Sequence, residues 1–299
     1  MARKRKDKKS IIISLIIVII LAVIATGSEG TIPEKGGFTL SEDSGYVHFI
    51  DIGQGSATLV TCGDKSLLID TGEKDYSDIL ISYINSCGID TLDYVIASHP
   101  HSDHIGGMAD VINSFAIGTF LTPELTKSNT PDSRVYERML DALIDKDVNS
   151  EYTEAGAKYT LCDGVTFEFL GPCEQTDDLN NMSAVIKLNV NGTELMLLGD
   201  AEKQELSSVY ETNPYADYKA DILAMGHHGS STSIYDKFLD AVDADVAVIS
   251  CGRNNSYGHP HRETLDYIGE NKITAYRTDL EGDIVFECSA DGYRRTEKQ

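Results

Sequence analysis

The stretch Leu92-Asp93-Tyr94-Val95-Ile96-Ala97-Ser98-His99-Pro100-His101-Ser102-Asp103-His104-Ile105-Gly106-Gly107 places three imidazoles and a carboxylate within six residues, directly after a short apolar run. Leu92 to Ala97 is apolar and β-rich enough to predict a buried strand, with the histidines on the loop leaving its C-terminal end. Imidazole suits zinc, iron or manganese, and the carboxylate widens the choice towards harder ions. Gly106-Gly107 lets the backbone turn sharply into a helix over Met108 to Phe115. A single loop histidine is ordinarily solvated or hydrogen-bonded to its surroundings. Three of them with an Asp at this spacing read as a metal site.

The same arrangement recurs along the chain. Of eight histidines, seven fall in three clusters: His99, His101 and His104; His227 and His228; His259 and His261. The apolar run 220–225 leads into Gly226-His227-His228-Gly229-Ser230, and the run 245–251 leads into a loop that carries Arg253, Tyr257 and His259. Asp70 and Asp200 end apolar runs as well. An isolated Asp there is ordinarily a helix cap, but Asp200 beside three histidine clusters at strand ends reads as a ligand. His48, alone in the first strand, reads as a core or surface residue. Two ions sharing a carboxylate and a bridging water would lower the pKa of that water and clamp the attacking and leaving oxygens of an ester, which is hydrolysis chemistry.

Further strands are expected over 46–51, 57–62, 66–70, 159–161, 166–170, 183–190 and 194–198, with edge strands over 274–277 and 283–288. Helices are expected over 75–87, 133–145 and 201–210, and Asn191-Gly192 marks a tight hairpin. Strands, helix and strand occur in that order twice, which suggests two β-rich halves packed face to face with helices outside.

The first ten residues hold Arg3, Lys4, Arg5, Lys6, Lys8 and Lys9 against Asp7, and Ile11 to Ala25 is apolar apart from Ser14. As a helix, 11–27 spans about 25 Å, a little short of the roughly 30 Å hydrocarbon core. The basic flank would stay cytoplasmic. The expected organisation is a basic cytoplasmic tail over 1–10, a transmembrane anchor or signal segment over 11–27, a linker over 28–44 and a hydrolase domain over 45–299. That places the protein in the cell membrane as a single-pass chain with its C-terminal domain extracellular, or secreted if the segment is cleaved. Beyond the first ten residues the chain holds 19 basic and 47 acidic residues, a net charge of −28. Such a surface repels polyanions at long range, so no stable nucleic-acid complex is expected, although a local cationic or metal-containing cleft could accept one. The six cysteines form no Cys-x-x-Cys pair and read as small core residues, with any pairing left open.

His99-x-His101-x-Asp103-His104, together with Asp70, Asp200 and His227, resembles the ligand series of the metallo-β-lactamase-fold hydrolases, and the resemblance covers nearly all of 45–292. Phe49-Ile50-Asp51-Ile52-Gly53-Gln54-Gly55, Asn180-Asn181-Met182-Ser183, Gly226-His227-His228-Gly229-Ser230 and Tyr257-Gly258-His259-Pro260 further resemble the extracellular hydrolase domain of the ComEC-type competence proteins and their free-standing relatives. The resemblance implies an α+β, four-layer αββα sandwich after one N-terminal transmembrane helix, with one or two divalent ions, zinc or manganese, between the sheets. It implies His99 and His101 on the first ion, Asp103 and His104 on the second, Asp200 bridging, and His227 completing the second. Asp70 would orient a ligand histidine, and His228 could exchange roles with His227. Asn181 and Ser183, expected beside the metals or the substrate, stand where many members carry a third histidine for the first ion. Asp103 and His259 are the expected catalytic residues. His259 would give a proton to a leaving oxygen or touch a phosphate, which Arg253 could also clamp.

The resulting expectation is an exported, membrane-anchored metallohydrolase acting on a phosphodiester, DNA included, in a DNA-uptake or cell-wall setting. The alternative within enzymes is a cell-envelope ester such as a phosphocholine or teichoic-acid phosphodiester, or a lactone or thioester. The alternative of another class is a non-catalytic metal-binding interaction module, against which the intact ligand set argues.

Overall fold

A computed structural model describes residues 44–213 and 216–296. Its first sheet begins with three antiparallel strands, β1 (Gly45–Phe49), β2 (Thr58–Cys62) and β3 (Lys65–Ile69). β4 (Thr91–Ile96), β5 (Ala116–Pro123) and β6 (Asn149–Thr153) extend it in parallel. Parallel neighbours need crossover connections. These are α1 (Ser77–Ser86), then the short α2 (Ser102–Ile105) with α3 (Met108–Ser114), then α4 (Arg134–Asp145).

The second sheet repeats the plan. β7 (Lys158–Cys162), β8 (Val165–Gly171), β9 (Val185–Val190) and β10 (Thr193–Leu197) are antiparallel. β11 (Ile222–Ala224), β12 (Val246–Ile249) and β13 (Thr274–Arg277) follow in parallel, with α5 (Lys203–Thr212), α6 (Asp236–Val242) and α7 (Arg262–Glu270) in the crossovers. A short α8 (Thr278–Glu281) returns the chain to the first sheet, where β14 (Ile284–Ser289) and β15 (Gly292–Thr296) give the order β15-β14-β1-β2-β3-β4-β5-β6.

Strands such as Val246-Ala247-Val248-Ile249 are buried at every position, not at alternate ones, because both faces of the sheet are covered. On the inner faces Val47, Phe49 and Phe286 pack with Phe167, Phe169 and Leu195. On the outer face of the first sheet Leu80, Val111 and Met139 bring in α1, α3 and α4; on that of the second, Leu206, Phe238 and Ile268 bring in α5, α6 and α7. The layers therefore run helix, sheet, sheet, helix. The hairpin at Asn191-Gly192 closes with positive φ at both residues, 52° and 92°, and Val190 pairs with Thr193 across it.

Three expectations change. Strand 283–288 is not an edge, since β15 pairs along its outer side. β6, Asn-Ser-Glu-Tyr-Thr, is exposed at four of five positions and so lacks the apolar signal of a strand. The expected single-pass placement in the cell membrane with an extracellular domain does not stand: among the described residues no helix is long and apolar enough to cross a membrane. The 12 residues of α4 reach about 18 Å, whereas a bilayer core needs roughly 30 Å. The apolar stretch 11–27 lies outside the described residues.

The parallel strands fix where function can sit. Ile69 pairs with Ile96, and Leu197 with Ala224, which in turn pairs with Val248, so β3, β4, β10, β11 and β12 end together. Loops leaving the carboxyl ends of such strands converge. At the opposite end Cys62 pairs with Lys65 along β2 and is disulfide-bonded to Cys162 of β7. The small-core reading thus holds for buried Cys251 and Cys288 but not for this pair.

Replacing both Cys62 and Cys162 by Ala releases a loop whose ends are 100 residues apart, for which chain entropy gives a cost of about 5 kcal/mol. Urea unfolding of parent and variant measures it; a loss below about 1 kcal/mol would show that the sheets hold together without the cross-link.

Candidate metal centre

Each ligand candidate stands just past a strand end. Asp70 follows β3 with a φ of 61°, a left-handed conformation that Asp adopts more readily than most residues. Its amide donates to Ile96 O, and Thr71 N donates to His104 O, so the loops after β3 and β4 are stitched together. The carboxylate, 1% exposed, accepts from Ser98 N at 2.8 Å, from Ser98 Oγ at 2.7 Å and from His104 Nδ1 at 2.7 Å. His104 is thereby fixed with Nε2 facing away from Asp70.

His104 Nε2 lies 3.0 Å from Asp200 Oδ1 and 3.3 Å from His228 Nε2, which is 3.2 Å from Asp103 Oδ2 and 3.6 Å from Asp200 Oδ1. His228 Nδ1 donates to Ser250 O at 2.9 Å, which turns its other nitrogen into the group. On the other side of Asp200, His99 Nε2 lies 3.1 Å from His101 Nδ1 and 3.7 Å from Asp200 Oδ2. Two atom sets capable of holding a metal result, Asp103-His104-Asp200-His228 and His99-His101-Asp200, with Asp200 common to both and one of its oxygens turned to each.

These separations suit cations. Two donors about 2.05 Å from a tetrahedral ion stand roughly 3.3 Å apart, and the pairs above span 3.0 to 3.7 Å. Asp200 Oδ1 is buried without a hydrogen-bond donor aligned to it among the described residues, as a metal-facing oxygen would be. Burial opposes charge throughout the group, yet proximity wins at several members. Asp200 and Asp70 hold the His104 pKa above the ordinary value, and Asp200 and Asp103 do the same for His228. His104 and His228 in turn hold the Asp200 carboxyl well below its usual range, and His228 and His104 do so for Asp103. At His99 burial, reinforced by the His104 imidazole, pushes the pKa down. The same carboxylates that favour a proton on His104 favour a divalent cation, whose ligation needs that imidazole deprotonated.

The main departure from the sequence reading is at His227 and His228. Both carry left-handed backbone angles, φ 51° and 55°, and this turn sends His228 into the group while His227 stays 22% exposed at its rim. His227 Nε2 is 3.6 Å from Asp200 Oδ2, and its Nδ1 is 3.3 Å from Glu202 Oε1. Alternation along a strand could not have separated neighbours in such a turn.

Asn181 and Ser183 serve Asp200 from behind. Ser183 Oγ accepts from Asp200 N at 3.0 Å, and Asn181 Oδ1 accepts from Glu202 N and Glu205 N at the start of α5. With Asn181 Nδ2 donating to Asp178, its side chain is fully engaged and caps a helix where a third ligand histidine was looked for. His48 is a core residue, buried, with Nδ1 2.9 Å from Tyr83 Oη. His259 is 9% exposed, its ring stacked over His228 at a 6.2 Å centroid distance. Burial and the imidazoles of His261 and His227 push its pKa down to about 4. Arg253 is exposed on the same loop and is not drawn into the ligand group. Sequence reasoning missed Ser98, Ser250 and Gln54, whose Oε1 accepts from Gly252 N and joins the loop after β1 to the loop after β12. Only a register of facing loops would have revealed them.

The metallo-beta-lactamase superfamily model matches residues 50–253. ComE operon protein 3 of Bacillus subtilis is 32% identical over 262 residues, covering 81% of this chain and 33% of that protein. Competence protein ComA of Neisseria gonorrhoeae is 31% identical, covering 85% of this chain and 34% of that protein. The chain thus spans about a third of the length of these curated relatives. The crystal structure of the metallo-beta-lactamase fold protein YhfI from Bacillus subtilis superposes with a TM-score of 0.54 at 15% identity, covering 82% of this chain and 100% of that one; the likeness is one of fold.

Two outcomes are expected from these contacts. By elemental mass spectrometry His228→Ala retains less metal than His227→Ala; equal losses would return His227 to the ligand set. Glu205, 2% exposed beside Asn181, has its pKa pushed up to about 7 by burial, against 4.5 for a free Glu. A carboxyl that ionises more readily unfolded than folded costs stability as pH rises from 4.5 to about 7, by on the order of 2–3 kcal/mol. Glu205→Gln, which keeps the acceptor for Cys173 N, should flatten that part of the urea-measured stability profile, and a profile parallel to the parent's removes Glu205 as its source.

Proposed function

The chain belongs to the metallo-beta-lactamase superfamily, and from that premise we propose that it is a metal-dependent phosphodiesterase acting on DNA or another phosphodiester. The observation carrying this reading is the division of buried and half-buried donors into two sets that share Asp200. In this reading His99, His101 and Asp200 hold one ion and Asp103, His104, Asp200 and His228 the other. The imidazole-rich sets favour zinc, and their carboxylates admit manganese. Bound there, the ions would supply Lewis acidity that activates water and stabilises charge on the phosphoryl oxygens.

The protein's own residues supply orientation. Asp70 and Ser98 lock His104, Ser250 locks His228, and Ser183 anchors the turn that presents Asp200. His259, kept neutral by its low pKa, offers a ring N–H to a phosphoryl or leaving oxygen beside His228. Hydrolysis adds the oxygen of water to phosphorus, breaks one ester P–O bond and releases an alcohol and a phosphomonoester. The likeness to ComEC-type domains favours DNA among phosphodiesters, by analogy of family rather than by a feature of the pocket.

The test is metal content and hydrolysis of bis(p-nitrophenyl) phosphate by the full chain with zinc or manganese. Turnover that Asp103→Ala lowers by roughly a hundredfold or more supports the reading. Bound metal without turnover sinks the phosphodiesterase in favour of another ester class, and a chain that takes up no metal sinks the enzyme in favour of an interaction module.

A further inference from the structure

The loop Gly252 to His259, after β12, differs in charge from the rest of the molecule. The chain holds 48 Asp and Glu in 299 residues, yet none from Val246 to Arg262. Arg253 is exposed there and has no ion-pair partner among the described residues. In a strongly acidic protein, this is a loop whose own residues set no carboxylate beside the cation that a phosphate would approach.

The loop is also built to hold one polar side chain in reserve. Asn255 clamps the backbone of His259: its Oδ1 accepts from His259 N at 2.9 Å, while its Nδ2 donates to His259 O at 2.6 Å and to Gly252 O at 2.9 Å. The His259 ring, nine-tenths buried against the ligand group, nonetheless keeps a buried Nδ1 with no hydrogen-bond partner among the described residues. Leaving such an atom unpaired is costly, and a bound ligand relieves it. Over the ring lies Tyr257, 63% exposed and nearly parallel to it, at 24° and 5.7 Å; the His259 ring is in turn nearly parallel to that of His228, at 26° and 6.2 Å. Three rings step outwards from the metal ligands to solvent.

We infer that Tyr257 and Arg253 form a nucleotide subsite, in which Tyr257 stacks the base next to the scissile phosphodiester and Arg253 pairs with the neighbouring phosphate of a single strand. The inference rests on the phosphodiesterase reading and adds what selects the substrate. A flat, exposed aromatic ring rewards an unstacked base and gives little to an alkyl or glycerol group. Arg253 adds a requirement for a second phosphate, which a simple diester lacks.

Two measurements test it on the metal-loaded full chain. The first is the ratio of kcat/KM for thymidine 5′-(p-nitrophenyl phosphate) to that for methyl p-nitrophenyl phosphate, which share a leaving group. Tyr257→Ala should lower this ratio roughly tenfold, and Tyr257→Phe should preserve it. Tyr152→Ala, an exposed tyrosine on β6 outside the site, should preserve it too. The second is fluorescence anisotropy of a labelled thymidine tetranucleotide at several salt concentrations, where Arg253→Ala should reduce the slope of log affinity against log salt by about 0.7, one phosphate contact. A ratio unchanged in Tyr257→Ala, or a parental salt slope in Arg253→Ala, overturns the subsite. If the parent hydrolyses neither ester, the phosphodiesterase reading fails and anisotropy decides alone: tetranucleotide binding weakened by both Tyr257→Ala and Arg253→Ala upholds the subsite, and binding that is absent or indifferent to them overturns it.

Discussion

Taking the Asp200 carboxylate out of water costs several kcal/mol unless positive charge meets it, and here it is 2% exposed between His99 and His104 from the first sheet and His228 from the second. Asp103 stands close by and Asp70 lies behind, so one end of an otherwise apolar sandwich carries three carboxylates. Much of the nearby backbone geometry serves this concentration of charge. Left-handed angles at Asp70, His227 and His228 aim side chains, and hydroxyls of Ser98 and Ser183 hold acceptors and amides in place. Strain of this kind persists only where the surroundings over-determine it, and the paired strand ends of the two sheets provide that surrounding.

The His99 to His104 motif was legible because its donors are neighbours in the chain and a strand end was the natural place for them. The face-to-face sheets followed from two rounds of strand, helix and strand, and the family resemblance rested on the same residues. What could not be read depended on loops meeting across the sandwich. Whether His227 or His228 turns inward is decided by two φ angles that no periodicity encodes. Asn181 looked like a replaced ligand, yet its oxygen is taken by the first amides of α5, a partner 21 to 24 residues away. β6 is nearly all polar because it lies at an edge, and Cys62 and Cys162 pair only because β2 and β7 are brought together. The apolar N-terminal stretch read as an anchor lies outside the described residues, and no described helix fills that role.

Charge is distributed as unevenly as strain. The formal net charge of −23 belongs to the surface at large, whereas the seventeen residues from Val246 to Arg262 carry none of the acids. β12 runs through the core of the second sheet, so part of that absence follows from burial; Arg253, Asn254, Ser256, Tyr257 and Gly258 in the loop beyond it are exposed, and there packing does not account for it. Screening limits the repulsive field of the acidic surface to roughly a Debye length of about 8–10 Å, so a phosphate already next to the ligand group meets mainly the charges in direct contact with it.

The cross-link between Cys62 and Cys162 bears on the ligand group although it lies far from it. Along β2 and β3, Cys62 faces Lys65 while Thr58 faces Ile69, next to Asp70; at about 3.3 Å per residue the rivet sits roughly 13 Å from the end that carries the ligands. A cross-link there ties the two sheets at the end opposite the ligands, so a shift of one sheet along the other would have to strain it. Asp200 stands past a strand end of one sheet and His104 past a strand end of the other, so their 3.0 Å spacing depends on how the two sheets are seated. A bond with no part in the chemistry thereby joins the apolar core in constraining the seating on which the spacing of the ligands depends.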